Sequence, residues 1–147
     1  GFADTLKTKY APKQTVPLPD HALIPGLVNA HTHAAMTLFR GYADDLPLME
    51  WLNDHIWPAE SRWVDESFVQ NGTDLACAEM LKSGTTCFND MYFFPKESAK
   101  AMLASGMRGA IGMLTIDFPT AYANDPEDYL AKGLALRRQN IPLLCYT

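Results

Sequence analysis

The chain has 147 residues, 48% of them hydrophobic and 20% charged, with a formal net charge of −5. Those figures describe one folded domain with a core of its own, and the acidic balance excludes a basic nucleic-acid interface. No apolar stretch approaches the roughly 18 residues of a membrane span, and Cys77, Cys87 and Cys145, odd in number, widely spaced and without a CxxC pair, argue against a disulfide framework or a cysteine-rich zinc site.

Residues 1–24 are polar and punctuated by Pro12, Pro17 and Pro19. A short helix from about Asp4 to Tyr10 is expected there, followed by extended chain. Pro25-Gly26 signals a turn, and LVNAHTH after it reads as a strand. A long aromatic-rich connection then runs from Ala34 to Arg62. Within it Leu48, Trp51, Leu52 and Ile56 share one helical stripe, which Pro47 and Pro58 should bracket. Connections of this length are more often functional than idle.

From Val64 the pattern becomes regular. VDESFVQNGTDLACAEMLKSG reads as a helix capped by Asp65 and stopped by Gly84. TTCFNDMYF follows as a strand, PKESAKAMLASG as a helix with Pro95 in its first turn and Gly106 past its end, and MRGAIGMLTIDF as another strand. DPEDYLAKGLALRRQ is a helix with Asp125 as N-cap and acidic residues in its first turn, and IPLLCY opens one more strand. EMLKSGTT and AMLASGMR, 22 residues apart, are an internal echo of helix end, glycine stop and strand start.

From Leu27 the order is strand, helix, strand, helix, strand, helix, strand: three parallel β/α units and the opening of a fourth. An open doubly wound sheet and a (β/α)8 barrel both fit such alternation. No glycine-rich phosphate loop follows a strand, and the glycines of GAIG lie inside one, which weakens a dinucleotide-binding reading. Polar residues gather instead at strand C-terminal ends: His31 and His33, Asn89 and Asp90, Thr115 and Asp117. In a barrel those ends form the active-site mouth, so the fold expected is the N-terminal part of a barrel, since a whole one needs about 200 residues or more.

The histidines carry the chemistry. The chain has four, and His31 and His33 emerge on the same side of one strand. Two adjacent imidazoles are half of a metal site, because a catalytic zinc takes three protein ligands and keeps a position open. His21 reads as a solvated loop residue and His55, beside Asp54, as a surface partner of a helix end. Asp90 reads as an orienting group rather than a ligand. Trp51, on its residues alone, is a core side chain of the helical stripe, and Glu60 a solvated loop carboxylate.

LIPGLVNAHTHAAMTLFRGYADDLPLMEWLNDHIWPAE resembles the first barrel strand and following loop of the amidohydrolase superfamily. MTLFRGYADDLPLMEWL and MLKSGTTCFNDMYF narrow the resemblance to methylthioadenosine/S-adenosylhomocysteine deaminases and their chlorohydrolase relatives. It runs from about Ala22 to about Arg138 and covers only the N-terminal part of a family member, while the closing QNIPLLCYT fits it poorly. It implies that residues 1–24 lead in from the family's small β-sandwich domain and that 25–147 are a partial barrel of about three and a half units. His31 and His33 would bind a divalent metal, usually zinc, with iron or manganese as alternatives. Trp51 would pack on a nucleoside and Glu60 would take its ribose hydroxyls. Some members carry an arginine on the third barrel strand that helps bind substrate, and Met113 stands there in this chain.

The reaction so implied is hydrolytic deamination of an adenine nucleoside to its inosine analogue and ammonia. It needs a further metal-binding histidine, an acid/base glutamate and histidine, and a late aspartate, and no histidine follows His55. The chain alone is therefore expected to be inactive, with no catalytic residue of its own. Both ends, Gly1-Phe2-Ala3 without Met and the apolar NIPLLCYT, read as cut from something longer. A homo-oligomer in the cytoplasm, without nucleic-acid or membrane partners, is the expected setting. The alternatives are a non-catalytic half-barrel that binds a partner chain or nucleoside, and another specificity such as guanine deamination or triazine dechlorination.

Overall fold

Four short parallel strands frame the molecule. In the computed structural model, which describes residues 3–139 and 144–146, β1 (Leu27–Thr32), β2 (Thr85–Asp90), β3 (Arg108–Ile111) and β4 (Leu144–Tyr146) lie side by side in that order. The expected strand at 141–146 is present over its last three residues, and the remainder falls outside the described residues. Helix α1 (Ala3–Lys9) precedes the sheet, and 10–26 hold neither helix nor strand. Sequential parallel strands joined by helices are the arrangement of an incomplete β/α barrel.

Local signals place the helices. In α4 (Glu66–Lys82) the Asp65 side chain accepts from the Phe68 amide at 2.7 Å, and in α6 (Pro126–Arg137) Asp125 accepts from the Asp128 amide at 2.8 Å. Each satisfies one of the orphan N–H groups of a first turn. The internal echo is structural. α4 and α5 (Pro95–Ala104) end alike, with Ser83 and Ser105 hydroxyls donating to Met80 and Met102 carbonyls and the next glycines, Gly84 and Gly106, at φ +87° and +73°. That left-handed turn is what a helix stop feeding directly into a strand requires.

Three expectations are corrected. The helix expected to end at Pro58 continues through it: α2 (Leu48–Glu50) passes into a π-helical stretch at Trp51–Ile56 and then into α3 (Trp57–Trp63). The Trp57 amide bonds to the Leu52 carbonyl, five residues back. This wider spacing lets the chain pass a proline that lacks its N–H and would crowd the carbonyl four residues earlier. Of the proposed stripe, Ile56 is buried, while Leu48 is 65% exposed. The second strand stops at Asp90, short of the expected MYF, and the chain then turns at Phe94, left-handed at φ +48°, before Pro95 starts α5. The third strand ends at Ile111; Gly112 donates the last ladder bond to the Asp90 carbonyl at 2.7 Å, and no further strand partner exists on β2.

Phe88 of β2 packs with Ala76 and Cys77 of α4, Ala99 and Met102 of α5, and Ile111 of β3 to make the main core. A second cluster joins Ala35, Val64, Val69 and Tyr92 beside the first loop. β1 is different. Leu27 and Val28 are both exposed, as are Leu23 and Ile24 ahead of them. Among the described residues no helix is long and apolar enough to cross a membrane.

Candidate active site

The chain leaves β1 through His33 directly into a 3-10 helix, Ala34–Phe39. Asp90, at the end of β2, holds this exit. Its carboxylate accepts from the Ala34 amide at 2.7 Å and from the Thr32 hydroxyl at 3.0 Å, and it is 1% exposed. Burial pushes this carboxyl above the usual carboxylate range, against the Ala34, Ser98 and Thr32 hydrogen bonds and the nearby His33. Asp90 thus anchors the turn that carries the histidines. α4 closes on the same turn: a Cβ at Gly72 would lie 2.4 Å from the Ala35 carbonyl oxygen, so only glycine permits this approach.

His31 and His33 stand side by side, ring centroids 4.9 Å apart and nearly perpendicular. His33 places Nδ1 at 2.5 Å from the Met91 carbonyl, to which it donates. In a neutral ring, donation through Nδ1 leaves the Nε2 lone pair for a metal. The pair therefore offers two adjacent imidazoles, a donor type that a divalent ion accepts. Among the described residues no group of three His, Cys, Asp or Glu side chains is gathered closely enough to hold an ion. His21 is exposed, and His55 meets Tyr42 edge-on at 6.4 Å.

A cavity of about 400 Å³ opens beside the pair. His33, Trp51, Glu60 and Tyr92 line it together with apolar residues that include Met113 and Leu114. The expected site residues are thus drawn from two separate elements, the end of β1 and the helix that passes through Pro58, into one place, with His31 adjoining through His33. Trp51 is half-buried rather than a core residue, its indole N–H donating to the Ala43 carbonyl at 3.0 Å, which leaves the ring as a wall of the cavity. Glu60 is no loop carboxylate: it belongs to α3 and accepts from the Tyr92 hydroxyl at 2.7 Å. Burial raises the Glu60 pKa above the ordinary value, while the Tyr92 hydrogen bond and His33 act the other way. Burial, and then the Glu60 charge, push the Tyr92 phenol upward, so it remains a donor.

Sequence reasoning missed Tyr92 and the Met91 carbonyl. Their one signal was position, since MYF follows the polar end of a strand; nothing local links Tyr92 to a glutamate 32 residues earlier. Thr115 lines the cavity from beyond β3, whereas Asp117 does not.

The amidohydrolase family model matches residues 22–144, which carries the likeness past Arg138 and into the segment expected to depart from it. A Saccharophagus degradans protein named 5-methylthioadenosine/S-adenosylhomocysteine deaminase is 58% identical over 131 residues, 89% of this chain and 29% of its own length. A Methanocaldococcus jannaschii 5'-deoxyadenosine deaminase is 61% identical over 94 residues, 64% of this chain and 22% of its own. The crystal structure of a Xanthomonas campestris adenosine deaminase with bound zinc superposes with a TM-score of 0.94 at 48% identity, covering 99% of this chain and 34% of that one. The chain thus spans about a third or less of these proteins. With that match over 22–144, and with a histidine pair at the end of the first of its parallel strands, the chain belongs to the amidohydrolase family.

Proposed function

We propose that this chain supplies the first two metal donors and the nucleoside grip of a hydrolytic adenine-nucleoside deaminase, with 5'-methylthioadenosine or S-adenosylhomocysteine as substrate. The observation that carries this reading is that His33, Trp51 and Glu60 line one cavity together. Relatives named for deaminating such nucleosides support it.

His31 and His33 would hold a divalent metal, with zinc favoured by the zinc-bound neighbour. Bound there, it would act as a Lewis acid that lowers the pKa of the attacking water. The chain's own residues do the rest of what it contributes. Trp51 offers a flat wall against which a sugar or base can pack. The apolar part of the lining gives the nucleoside a surface to pack against. Glu60 presents a carboxylate able to accept two hydroxyl hydrogen bonds at once, as a vicinal diol requires. Burial of that carboxylate is repaid when a diol replaces its lost water.

The chain as given carries two imidazoles at this site and no histidine beyond His55, so turnover depends on residues from elsewhere. Residues 1–24 we read as the lead-in from a small β domain, and 25–147 as the opening of the barrel. The setting assigned is the cytoplasm, where Cys77 and Cys87 stay free thiols.

The test is metal content together with ammonia release from methylthioadenosine, on this chain and on the complete protein. Metal near one equivalent and ammonia from the complete protein, with neither from this chain, are expected. His31→Ala in the complete protein should remove most bound metal, and unchanged metal content would sink the ligand assignment. Turnover by this chain alone would show that a second copy completes the site. Release of chloride or of guanine-derived ammonia, without action on adenine nucleosides, would move the specificity to another branch.

A further inference from the structure

We propose that Tyr92 is a positioning residue for substrate recognition: its phenol fixes the Glu60 carboxylate so that the free edge of that carboxylate selects a ribose diol over a deoxyribose. The inference rests on the reading of Glu60 as the hydroxyl acceptor and goes beyond it by naming what makes that acceptor selective.

The geometry is specific. Tyr92 is 6% exposed, held among Ala35, Val64 and Val69, with its ring 5.0 Å from that of Phe93. A side chain clamped on its apolar body has one direction left for its hydroxyl, and that direction is Glu60 Oε1 at 2.7 Å. The Glu60 carboxylate has no other hydrogen bond or ion pair among the described residues. It projects from α3, whose start follows the π-helical stretch, and has three side-chain torsions free to turn without the phenol to restrain it. One carboxylate oxygen is thereby committed to the protein, and Oε2 with a remaining lone pair of Oε1 is left for a ligand. The Tyr92 ring also lies 6.2 Å from the His33 ring, so the strut spans from the histidine end of the cavity to the Glu60 end. A carboxylate held at a set distance from the metal-side histidine accepts both hydroxyls of a diol in one pose. A free one accommodates a single hydroxyl almost as well.

The test is Tyr92→Phe in the complete protein, assayed with methylthioadenosine and with its 2'-deoxy and 3'-deoxy analogues. Loss of a hydrogen bond to a charged group corresponds to about tenfold or more. The expected result is a loss of that size in kcat/KM for the diol substrate, carried mainly by KM, with a smaller loss for the deoxy analogues and unchanged metal content. The ratio between substrates on one preparation does not depend on how much of the variant is folded. Equal losses for all three substrates would reduce Tyr92 to a structural role and overturn the proposal, as would no loss at all. If the parent protein prefers the diol but Tyr92→Phe keeps the whole preference, the proposal fails while the Glu60 reading stands. If the parent has no preference for the diol, and Glu60→Gln affects all three substrates equally, both fall together.

Discussion

Two neighbouring strands of one sheet have opposite surroundings. β2 sends Phe88 and Asp90 under α4 and α5, each 1% exposed, whereas β1 beside it has Val28 at 68% exposure and its histidine pair at an open edge. The ladder between them is shared, so backbone pairing does not separate the two. Covering does: among the described residues helices pack on β2, and little packs on β1 beyond the turn that leaves it. The histidine pair lies on the uncovered strand and is located from the covered one, through the Asp90 carboxylate. A rigid element thus sets the position of side chains on an exposed one.

The largest effect that would break this contrast comes from Phe88→Ala, expected to cost about 3–5 kcal/mol in urea or thermal unfolding. The matching change at Val28→Ala should fall within about 0.5 kcal/mol in this chain. A core-sized cost at Val28 in a longer protein would show that another element covers β1 there. A smaller effect is expected at the joint between the two regions. Gly72→Ala forces a Cβ against the Ala35 carbonyl and should cost about 1–3 kcal/mol, read from the unfolding midpoint, as α4 or the histidine-bearing turn shifts.

The smallest effect concerns the site itself and has the opposite sign. Burial holds the Glu60 carboxyl above its ordinary value of 4.5. A carboxyl raised on folding contributes stability that is complete at low pH and is lost as pH rises through its folded-state pKa. At pH 7 the ionised Glu60 therefore burdens the fold. Glu60→Gln, which still accepts from Tyr92, should unfold at the same or a higher temperature than the parent at pH 7. The gain should shrink as pH falls towards the ordinary value, and a variant less stable at pH 7 would contradict this.

What was legible in the sequence was local. Asp65 and Asp125 announce their helices because a cap acts over three residues, and Gly84 and Gly106 announce the stops because the turn needs a positive φ. The histidine pair was legible because a strand places alternate residues on one side. The passage of the helix through Pro58 was not, since the π-helical spacing that relieves it leaves no compositional mark. The end of β3 at Ile111 depends on where its partner strand stops, and the Tyr92 to Glu60 bond joins residues 32 apart. Such links are properties of the assembled sheet.

The bond from the Ala34 amide to Asp90 has a consequence in time. It closes a loop of 56 residues, so it cannot form until β2 has paired beside β1. The orientation of the histidine turn is therefore acquired late, with the sheet rather than ahead of it. That one buried amide should exchange its proton with solvent only when the two strands part, making it a clock for the assembly of the site.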